Sequence, residues 1–170
     1  MKFFLLDADD QYAQPTFLDW YKEMNPKLQA AWDIPRLSKF SVSLSVNAIF
    51  VDILSHPYLM LSKEFSNLVR LYDDTIRFNY VMLYDKKNKR HMDYYMPKLE
   101  VVDCLANDSE LSRDGSVLRR AVLQRDAVRY RTLFQIGGVS NRYIAGSLEL
   151  VESAFRREVL GLRIREVELV

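Results

Sequence analysis

The chain of 170 residues has little of several residue types, and each shortage excludes a class of protein. It holds one cysteine, Cys104, which excludes an internal disulfide and a zinc site built from a cysteine cluster. Its five glycines include no dinucleotide-binding or phosphate-binding loop, because such loops need spaced glycines that let backbone amides approach the anion. We therefore expect a reducing, cytoplasmic location and no bound cofactor.

Long hydrophobic runs and an excess of one charge are also missing. The apolar run from Phe3 to Leu6 stops at Asp7, too short for the roughly seven to fifteen residues of a signal peptide. No stretch approaches the roughly 20 apolar residues of a membrane span. With 24 basic and 23 acidic side chains the net charge is +1, unlike a dedicated nucleic-acid binder. We predict a soluble chain with no membrane partner.

The composition that is present is that of a globular protein, with 49% hydrophobic and 28% charged residues. The length suits one domain. The predicted fold is α+β, with a mostly antiparallel sheet and two or three packed helices in a single domain over residues 1–170. Residues 1–54 form an aromatic-rich segment that packs on a core of residues 55–170, and Trp20 to Trp32 are spaced as on a helix interrupted at Pro26.

Two segments share a strand-to-helix pattern. In each, a tyrosine begins an apolar run and a serine stands four positions later, Tyr58 with Ser62 and Tyr143 with Ser147. A serine ahead of an amphipathic stripe is typical of a helix N-cap. Internal duplication and chance similarity both account for the repeat, because this order of elements is common.

Two hairpins are predicted. In the first, alternating residues from Ile76 to Met82 lead to a charged tip, Lys86 to Arg90, and a second arm from Met92 to Leu99. The tip lacks the glycine that a tight turn prefers. In the second, residues 117–124 and 127–136 flank Arg125 and Asp126.

Residue types that carry out chemistry have simpler interpretations here. Cys104 lies among apolar residues, as a core cysteine does, and Ser62 and Ser147 are explained as caps. The carboxylate pairs and histidines fit solvated turns, namely Asp9 with Asp10, Asp73 with Asp74, His56, and His91 beside the tip. We therefore predict a protein that is not an enzyme, with no catalytic residue, metal ligand or cofactor site.

Charge is concentrated at the hairpins. Lys86, Lys87, Lys89 and Arg90 crowd the first tip, and the region of the second holds Arg119, Arg120, Arg125, Arg129 and Arg131. Such clusters bind phosphates or acidic protein patches, and they also keep sheet edges from pairing. Tyr94 and Tyr95 are adjacent, so on a strand one faces the core while the other could anchor an interface. The predicted partner-binding residues are Lys86, Lys87, Lys89, Arg90, His91, Asp93, Tyr94 and Tyr95.

The order of segments resembles a known family. The matching segments are the apolar run into Ser62 and its helix, a hairpin, Val102 to Leu105, Leu133 to Ile136, Tyr143-Ile144, Ser147 with its helix, and Gly161-Leu162 before a closing strand. Over residues 55–170 the chain resembles the eleventh-numbered immunity protein family of bacterial polymorphic-toxin systems, a former domain of unknown function with a myxobacterial prototype. The resemblance implies a mixed fold and a non-catalytic task, the binding and blocking of a cognate toxin.

Three hypotheses on function follow. The first is an immunity protein that neutralises a cognate toxin by covering its active site. The second is an anion or nucleic-acid-binding module that uses the basic hairpins. The third is a small hydrolase with a site built from Asp9, Asp73 or His91.

Overall fold

The computed structural model describes residues 1–19 and 35–170. These residues form the predicted mixed α+β fold, in which most strand pairs of known register are antiparallel. The helix predicted between Trp20 and Trp32 lies outside the described residues. Within the described ranges, no helix is long and apolar enough to cross a membrane.

The described residues contain fourteen strands and three helices. The strands are β1 (Phe3–Ala8), β2 (Thr16–Phe17), β3 (Leu37–Ser43), β4 (Ile53–Leu54), β5 (Met60–Ser62), β6 (Arg77–Asp85), β7 (Arg90–Lys98), β8 (Val101–Val102), β9 (Glu110–Leu111), β10 (Leu118–Arg120), β11 (Val122–Leu123), β12 (Leu133–Ile136), β13 (Ile144–Ser147) and β14 (Leu162–Leu169). The helices are α1 (Lys63–Tyr72), α2 (Arg125–Val128) and α3 (Leu148–Arg156).

Contacts divide the chain into two compact units. Unit 1 comprises Met1–Asp7, Leu99–Glu158 and Arg163–Val170, and unit 2 comprises Ala8–Lys98 and Val159–Leu162. The sheet of unit 1 has the order β11-β14-β1-β13-β12-β8, and that of unit 2 has the order β2-β3-β6-β7-β5-β4. Residues 1–54 thus contribute strands to both sheets, and the prediction of a single domain stays a prediction.

Each unit buries its own cluster of apolar side chains. In unit 2, Phe40, Leu83 and Tyr94 are fully buried on one face of the sheet. In unit 1, Phe3 and Phe134 meet edge to face with ring centroids 5.7 Å apart, inside a cluster that includes Cys104. Each such side chain removed from water contributes about 1.5–3 kcal/mol, so each cluster stabilises the unit that contains it.

Both predicted serine caps are confirmed. The hydroxyl of Ser62 accepts a hydrogen bond from the amide of Phe65 (3.2 Å) at the start of α1. The hydroxyl of Ser147 accepts one from the amide of Leu150 (3.4 Å) at the start of α3. Each cap satisfies an amide that the helix itself leaves unpaired.

The repetition extends from these caps to the topology of the sheets. Strands in unit 2 follow the order β4-β5-β7-β6-β3, and strands in unit 1 follow β12-β13-β1-β14-β11. The pairs β4-β5 and β12-β13 are antiparallel, while β3-β6 and β11-β14 are parallel. The amide of each cap serine also bonds the carbonyl just before the preceding strand, Asp52 for Ser62 and Thr132 for Ser147. Both units therefore use one arrangement, in which β1 takes the place that β7 holds in unit 2.

The second predicted hairpin is wrong. Its first arm contains β11, which pairs with β14, while β12 of the second arm pairs with β13 and β8. Arg125 and Asp126 lie in the short helix α2. The two segments are close in sequence, but each finds its partner elsewhere in the chain.

Candidate partner-binding surface

The first predicted hairpin is confirmed. Strands β6 and β7 pair in antiparallel register from Arg77 with Lys98 to Asp85 with Arg90. Residues 86–89 form the tip beyond that last pair, with Lys89 in a left-handed conformation (φ 52°). The hairpin lies in unit 2, flanked by β3 along β6 and by β5 along β7.

Alternation along β6 places its residues on two different faces. Asn79, Val81 and Leu83 are buried, together with Asp85 at the end of the strand. The aromatic and apolar residues Phe78, Tyr80, Met82 and Tyr84 lie on the opposite face and remain partly exposed. The larger rings are therefore turned away from the core that Val81 and Leu83 join.

We call the outward-facing residues Tyr80, Met82, Tyr84 and Tyr95 the tyrosine face. Register places Tyr80 opposite Tyr95, and their rings meet edge to face at 5.8 Å. All four side chains are partly exposed. Aromatic side chains that stay partly exposed together on one sheet face are candidates for an interaction site, because monomeric proteins rarely leave large contiguous apolar patches exposed.

Cations lie over these rings. The Arg70 guanidinium of α1 stands 4.3 Å from the centroid of Phe78 and 5.5 Å from that of Tyr95. The Lys39 ammonium of β3 stands 5.0 Å from the Tyr84 centroid. Such contacts contribute about 0.5–1 kcal/mol at exposed sites, and they hold the rings in place.

One carboxylate lies within the tyrosine face. Asp93 lies opposite Met82 in the pairing of β6 and β7 and accepts a hydrogen bond from the Tyr80 hydroxyl at 2.7 Å. That bond, together with partial burial and the negative charge of Asp93, raises the pKa of Tyr80 to about 12. Ionising Tyr80 would break the bond and place a phenolate against a carboxylate.

We expect Asp93→Asn to lower the pKa of Tyr80 from about 12 toward the ordinary tyrosine value of about 10. The substitution removes the charge and weakens the acceptor while keeping the shape of the side chain. The measurement is a titration of the tyrosine ring resonances by NMR, with the exposed Asp74→Asn as the control. An unchanged Tyr80 titration in Asp93→Asn would show that the hydrogen bond is absent in solution.

The predicted basic tip divides into free and engaged cations. We call Lys86, Lys87 and Lys89 the lysine tip; all three are exposed, and none makes a hydrogen bond or ion pair within the described ranges. Arg90 is engaged, since it donates to the carbonyls of Ala48 (2.6 Å) and Ser45 (2.7 Å). Arg90 therefore holds residues 45–48 against the hairpin, and because its side chain is still partly exposed, its role as a partner contact stays a prediction.

A buried carboxylate orders this tip. Asp85 is fully buried, and its Oδ2 accepts hydrogen bonds from Asn88 Nδ2 (2.6 Å) and from Arg90 Nε and Nη2 (3.3 Å each). Asn88 also donates to the carbonyl of Leu44 at 2.9 Å. Hydrogen bonds from Asn88, supported by Arg90, lower the pKa of Asp85 although burial opposes them. The ionised carboxylate is thus the centre of the network.

The two adjacent tyrosines separate as predicted, one inward and one outward. Tyr94 is fully buried and donates its hydroxyl hydrogen to the carbonyl of Val51 at 2.6 Å. Its place among the partner-binding residues is therefore wrong, because no partner reaches a side chain inside the core. Tyr95 is partly exposed and stays a predicted contact, and the exposed His91 lies opposite Tyr84 at the edge of the tyrosine face.

The arginines of unit 1 do not form a second basic hairpin. Arg120 pairs with Glu168 and Arg131 pairs with Glu100. Arg119, Arg125 and Arg129 are exposed, and Arg129 lies over the ring of Tyr130, which is 88% exposed. These three arginines and Tyr130 provide matched controls for the tip and the tyrosine face.

Residues considered for chemistry have other tasks. Cys104 is fully buried, and burial raises the pKa of its thiol to about 11, so the predicted core role is confirmed. Asp73 ends α1 and accepts from Thr75, and Asp9 accepts from the amide of Gln11. Within residues 1–19 and 35–170, no three His, Cys, Asp or Glu side chains are grouped to hold a metal ion.

Sequence reasoning missed most of the tyrosine face. It named Tyr95 but passed over Tyr80, Met82 and Tyr84, because alternation assigns residues to two faces without saying which one is buried. The sequence signal is misleading here: Asp85 shares the parity of Val81 and Leu83, so alternation alone would place those residues on the exposed face. The structure shows the opposite, because Asp85 is buried and accepts hydrogen bonds from Asn88 and Arg90.

Unit 1 provides an internal comparison for this surface. Its strand β14 takes the place of β6, and Val167 there is buried. The neighbouring Glu166 and Glu168 alternate to the other face, where they pair with Lys2 (2.8 Å) and Arg120 (2.6 Å). The corresponding face thus carries ion pairs in unit 1 and aromatic rings in unit 2.

Comparison with models of known protein families found none that matches the chain, and comparison with curated proteins found no match. Function must therefore be inferred from the chemistry of the tyrosine face and the lysine tip.

Proposed function

We propose that this chain is an immunity protein that binds a cognate bacterial toxin and neutralises it by covering the active site. The observation that carries the proposal is the tyrosine face. It leaves Tyr80, Met82, Tyr84 and Tyr95 partly exposed, where unit 1 has charged residues in ion pairs. The order of segments over residues 55–170, which resembles an immunity family, supports the same function.

The composition of the face suits tight binding. Tyrosine and arginine are the residue types that most often supply the binding energy of an interface, and a polar rim around them excludes water. Tyr95 and Arg70 lie in contact, and Asp93 is available at the centre of the face as an acceptor. The hydrogen bond and ring contacts already order these side chains, which lowers the entropy lost on binding.

A non-catalytic role is part of the proposal. The Cys104 thiol is held neutral by burial, and the hydroxyls of Ser62 and Ser147 accept helix amides. These three side chains therefore have structural tasks. A cytoplasmic location also belongs to the proposal, because a reduced, buried thiol needs no oxidising compartment.

The test is protection from a toxin. The product of each gene that flanks this one is expressed in a heterologous bacterial host, alone and together with this chain. We expect one product to stop growth, and we expect co-expression of this chain to restore colony formation and to give a complex that copurifies. Growth arrest that this chain does not relieve would contradict the proposal.

We expect Tyr84→Ala and Tyr95→Ala each to weaken binding of that toxin by about 30-fold, the effect of losing one interface anchor of about 2 kcal/mol. The measurement is biolayer interferometry with the purified toxin. Tyr130→Ala, which removes an exposed tyrosine from unit 1, is the control and should bind like the wild type. If the wild type and all three variants bound the toxin with equal affinity, the interface would not include the tyrosine face.

The second candidate function is an anion or nucleic-acid-binding module. The observation that favours it is the lysine tip, three exposed ammonium groups within four positions. The tyrosine face offers less support, because Lys39 and Arg70 already lie over its rings and Asp93 would repel a phosphate. Base stacking needs open rings along a positive groove.

A further inference from the structure

We propose that the lysine tip enters a carboxylate-lined cleft of the partner protein, so that the toxin is one whose active site is acidic. This inference rests on the proposed function and names the chemistry of its partner. It begins with the division of cations at the hairpin, where Arg90 is held by Asp85 and by loop carbonyls. Lys86, Lys87 and Lys89 are left exposed beyond the last paired residues.

The backbone at Lys89 is the second observation. Its φ of 52° lies in the left-handed region, which a side chain beyond glycine, asparagine or aspartate rarely adopts. Gly115, Gly138 and Gly161 occupy three of the five such positions in residues 1–19 and 35–170. The other two positions are Lys89 and Glu158 (φ 55°), so Lys89 is one of two residues with a side chain held in this unfavourable conformation within the described residues, as functional residues often are.

Order at the base of the tip is the third observation. The Asn88 side-chain amide donates hydrogen bonds to the carboxylate of Asp85 and to the carbonyl of Leu44. The Arg90 guanidinium donates to the carbonyls of Ser45 and Ala48. These bonds hold the turn that carries the three lysines against a second segment of unit 2. A positive group on a fixed support loses less entropy on binding than one on a mobile loop.

Charge and shape together favour a carboxylate-lined cleft over nucleic acid. Three ammonium groups on one projecting turn are complementary to a concave acidic site. A nucleic acid instead needs cations spread along its backbone, and Asp93 with its bound Tyr80 interrupts the surface behind the tip. Acidic clefts are found in enzymes that hold divalent cations or use paired carboxylates.

The experiment reverses the charge of the tip and compares two polymers. The variants are Lys86→Glu with Lys87→Glu and Lys89→Glu, and as a control Arg119→Glu with Arg125→Glu and Arg129→Glu. The two triple variants change the net charge equally, so a difference between them reports position. A third variant, Lys86→Gln with Lys87→Gln and Lys89→Gly, removes the charge and suits the left-handed backbone, which guards against misfolding of the first. Thermal unfolding confirms that each is folded.

The probes are fluorescent poly-L-glutamate and a single-stranded DNA of equal charge, titrated into full-length protein at two salt concentrations. We expect poly-L-glutamate to bind the wild type and the arginine control alike, and to bind both tip variants about tenfold or more weakly. Protection from the toxin should fall in both tip variants and persist in the arginine control. DNA bound more tightly than poly-L-glutamate would overturn the inference in favour of nucleic acid.

Failure of this inference and failure of the proposed function look different. If the wild type protects and both tip variants protect equally well, the lysine tip is not the contact and the inference is overturned, while the immunity function stands. If the wild type protects against no flanking product, the immunity function fails. In that case, poly-L-glutamate binding that depends on the lysine tip would still support an acidic protein partner. If the wild type bound no poly-L-glutamate, the inference of an acidic partner would be overturned as well.

Discussion

Asp85→Ala is expected to lower the thermal midpoint of unfolding by about 10 °C and to weaken poly-L-glutamate binding at the lysine tip. Removing the buried carboxylate leaves Arg90 without its ionic partner and leaves Asn88 with only the carbonyl of Leu44 as an acceptor. Arg90 is then no longer held in place to donate hydrogen bonds to the loop carbonyls of Ser45 and Ala48. Circular dichroism measures the midpoint, and the polymer titration measures the tip.

Dependence on pH tests the same carboxylate. The pKa of Asp85 is lowered in the folded protein, so its stabilisation is present above the unfolded value of about 3.9 and is lost as pH falls through the folded pKa. The difference in midpoint between wild type and Asp85→Ala should be constant from pH 7 to 5 and should narrow below about pH 4. The control, exposed Asp108→Ala, should leave the midpoint unchanged. A midpoint of Asp85→Ala equal to that of the control would rule out an ordering role for Asp85.

Gly161→Ala is expected to destabilise the protein by about 3 kcal/mol. Gly161 has a φ of 77°, and a Cβ there would stand 2.8 Å from the Cβ of Val51 and 3.0 Å from its Cγ1. The substitution therefore adds a steric overlap to an unfavourable backbone conformation. Urea unfolding followed by circular dichroism measures the change.

Gly115→Ala separates these two causes. Gly115 has a similar φ of 69°, but a Cβ there would meet nothing within 4 Å. Gly115→Ala should therefore lower the free energy of unfolding only by the backbone contribution of about 1 kcal/mol. Equal losses at both positions would show that the overlap with Val51 relaxes at little cost, which would contradict the predicted effect of Gly161→Ala.

Features that depend on neighbouring residues were predictable from the sequence. The caps at Ser62 and Ser147 and the hairpin around residues 86–89 are confirmed. An N-cap acts over three residues, and a hairpin brings together segments that are already adjacent. The core position of Cys104 followed in the same way from its apolar neighbours.

Pairing between distant segments was not predictable in this way. Residues 117–124 and 127–136 alternate well enough to suggest a hairpin, yet β11 pairs with β14 and β12 with β13. Every strand offers unpaired amides and carbonyls, and the partner that best buries its apolar face is chosen over the whole chain. Local pattern alone does not contain that choice.

The residues of the candidate site also differ in whether local sequence or distant contacts determine their role. The lysines of the tip were named from sequence because a charged turn between two apolar arms is a local signal. Tyr94 and Arg90 were named too, but each is held by a carbonyl more than 40 positions earlier, Val51 for Tyr94 and Ala48 for Arg90. The buried side chain of Tyr94 is therefore unavailable to a partner and that of Arg90 is restrained, and no feature of the neighbouring residues indicates either outcome.

By itself, the sequence determined the helix caps, the first hairpin and the mixed class of the fold, since caps, alternation and turns act within a few residues. The tertiary structure alone decided that Tyr80 and Tyr84 face outward and that Asp85 is buried. It also decided which cations remain free. These properties depend on which distant segments pack together, because burial and hydrogen bonding are settled by contacts in space.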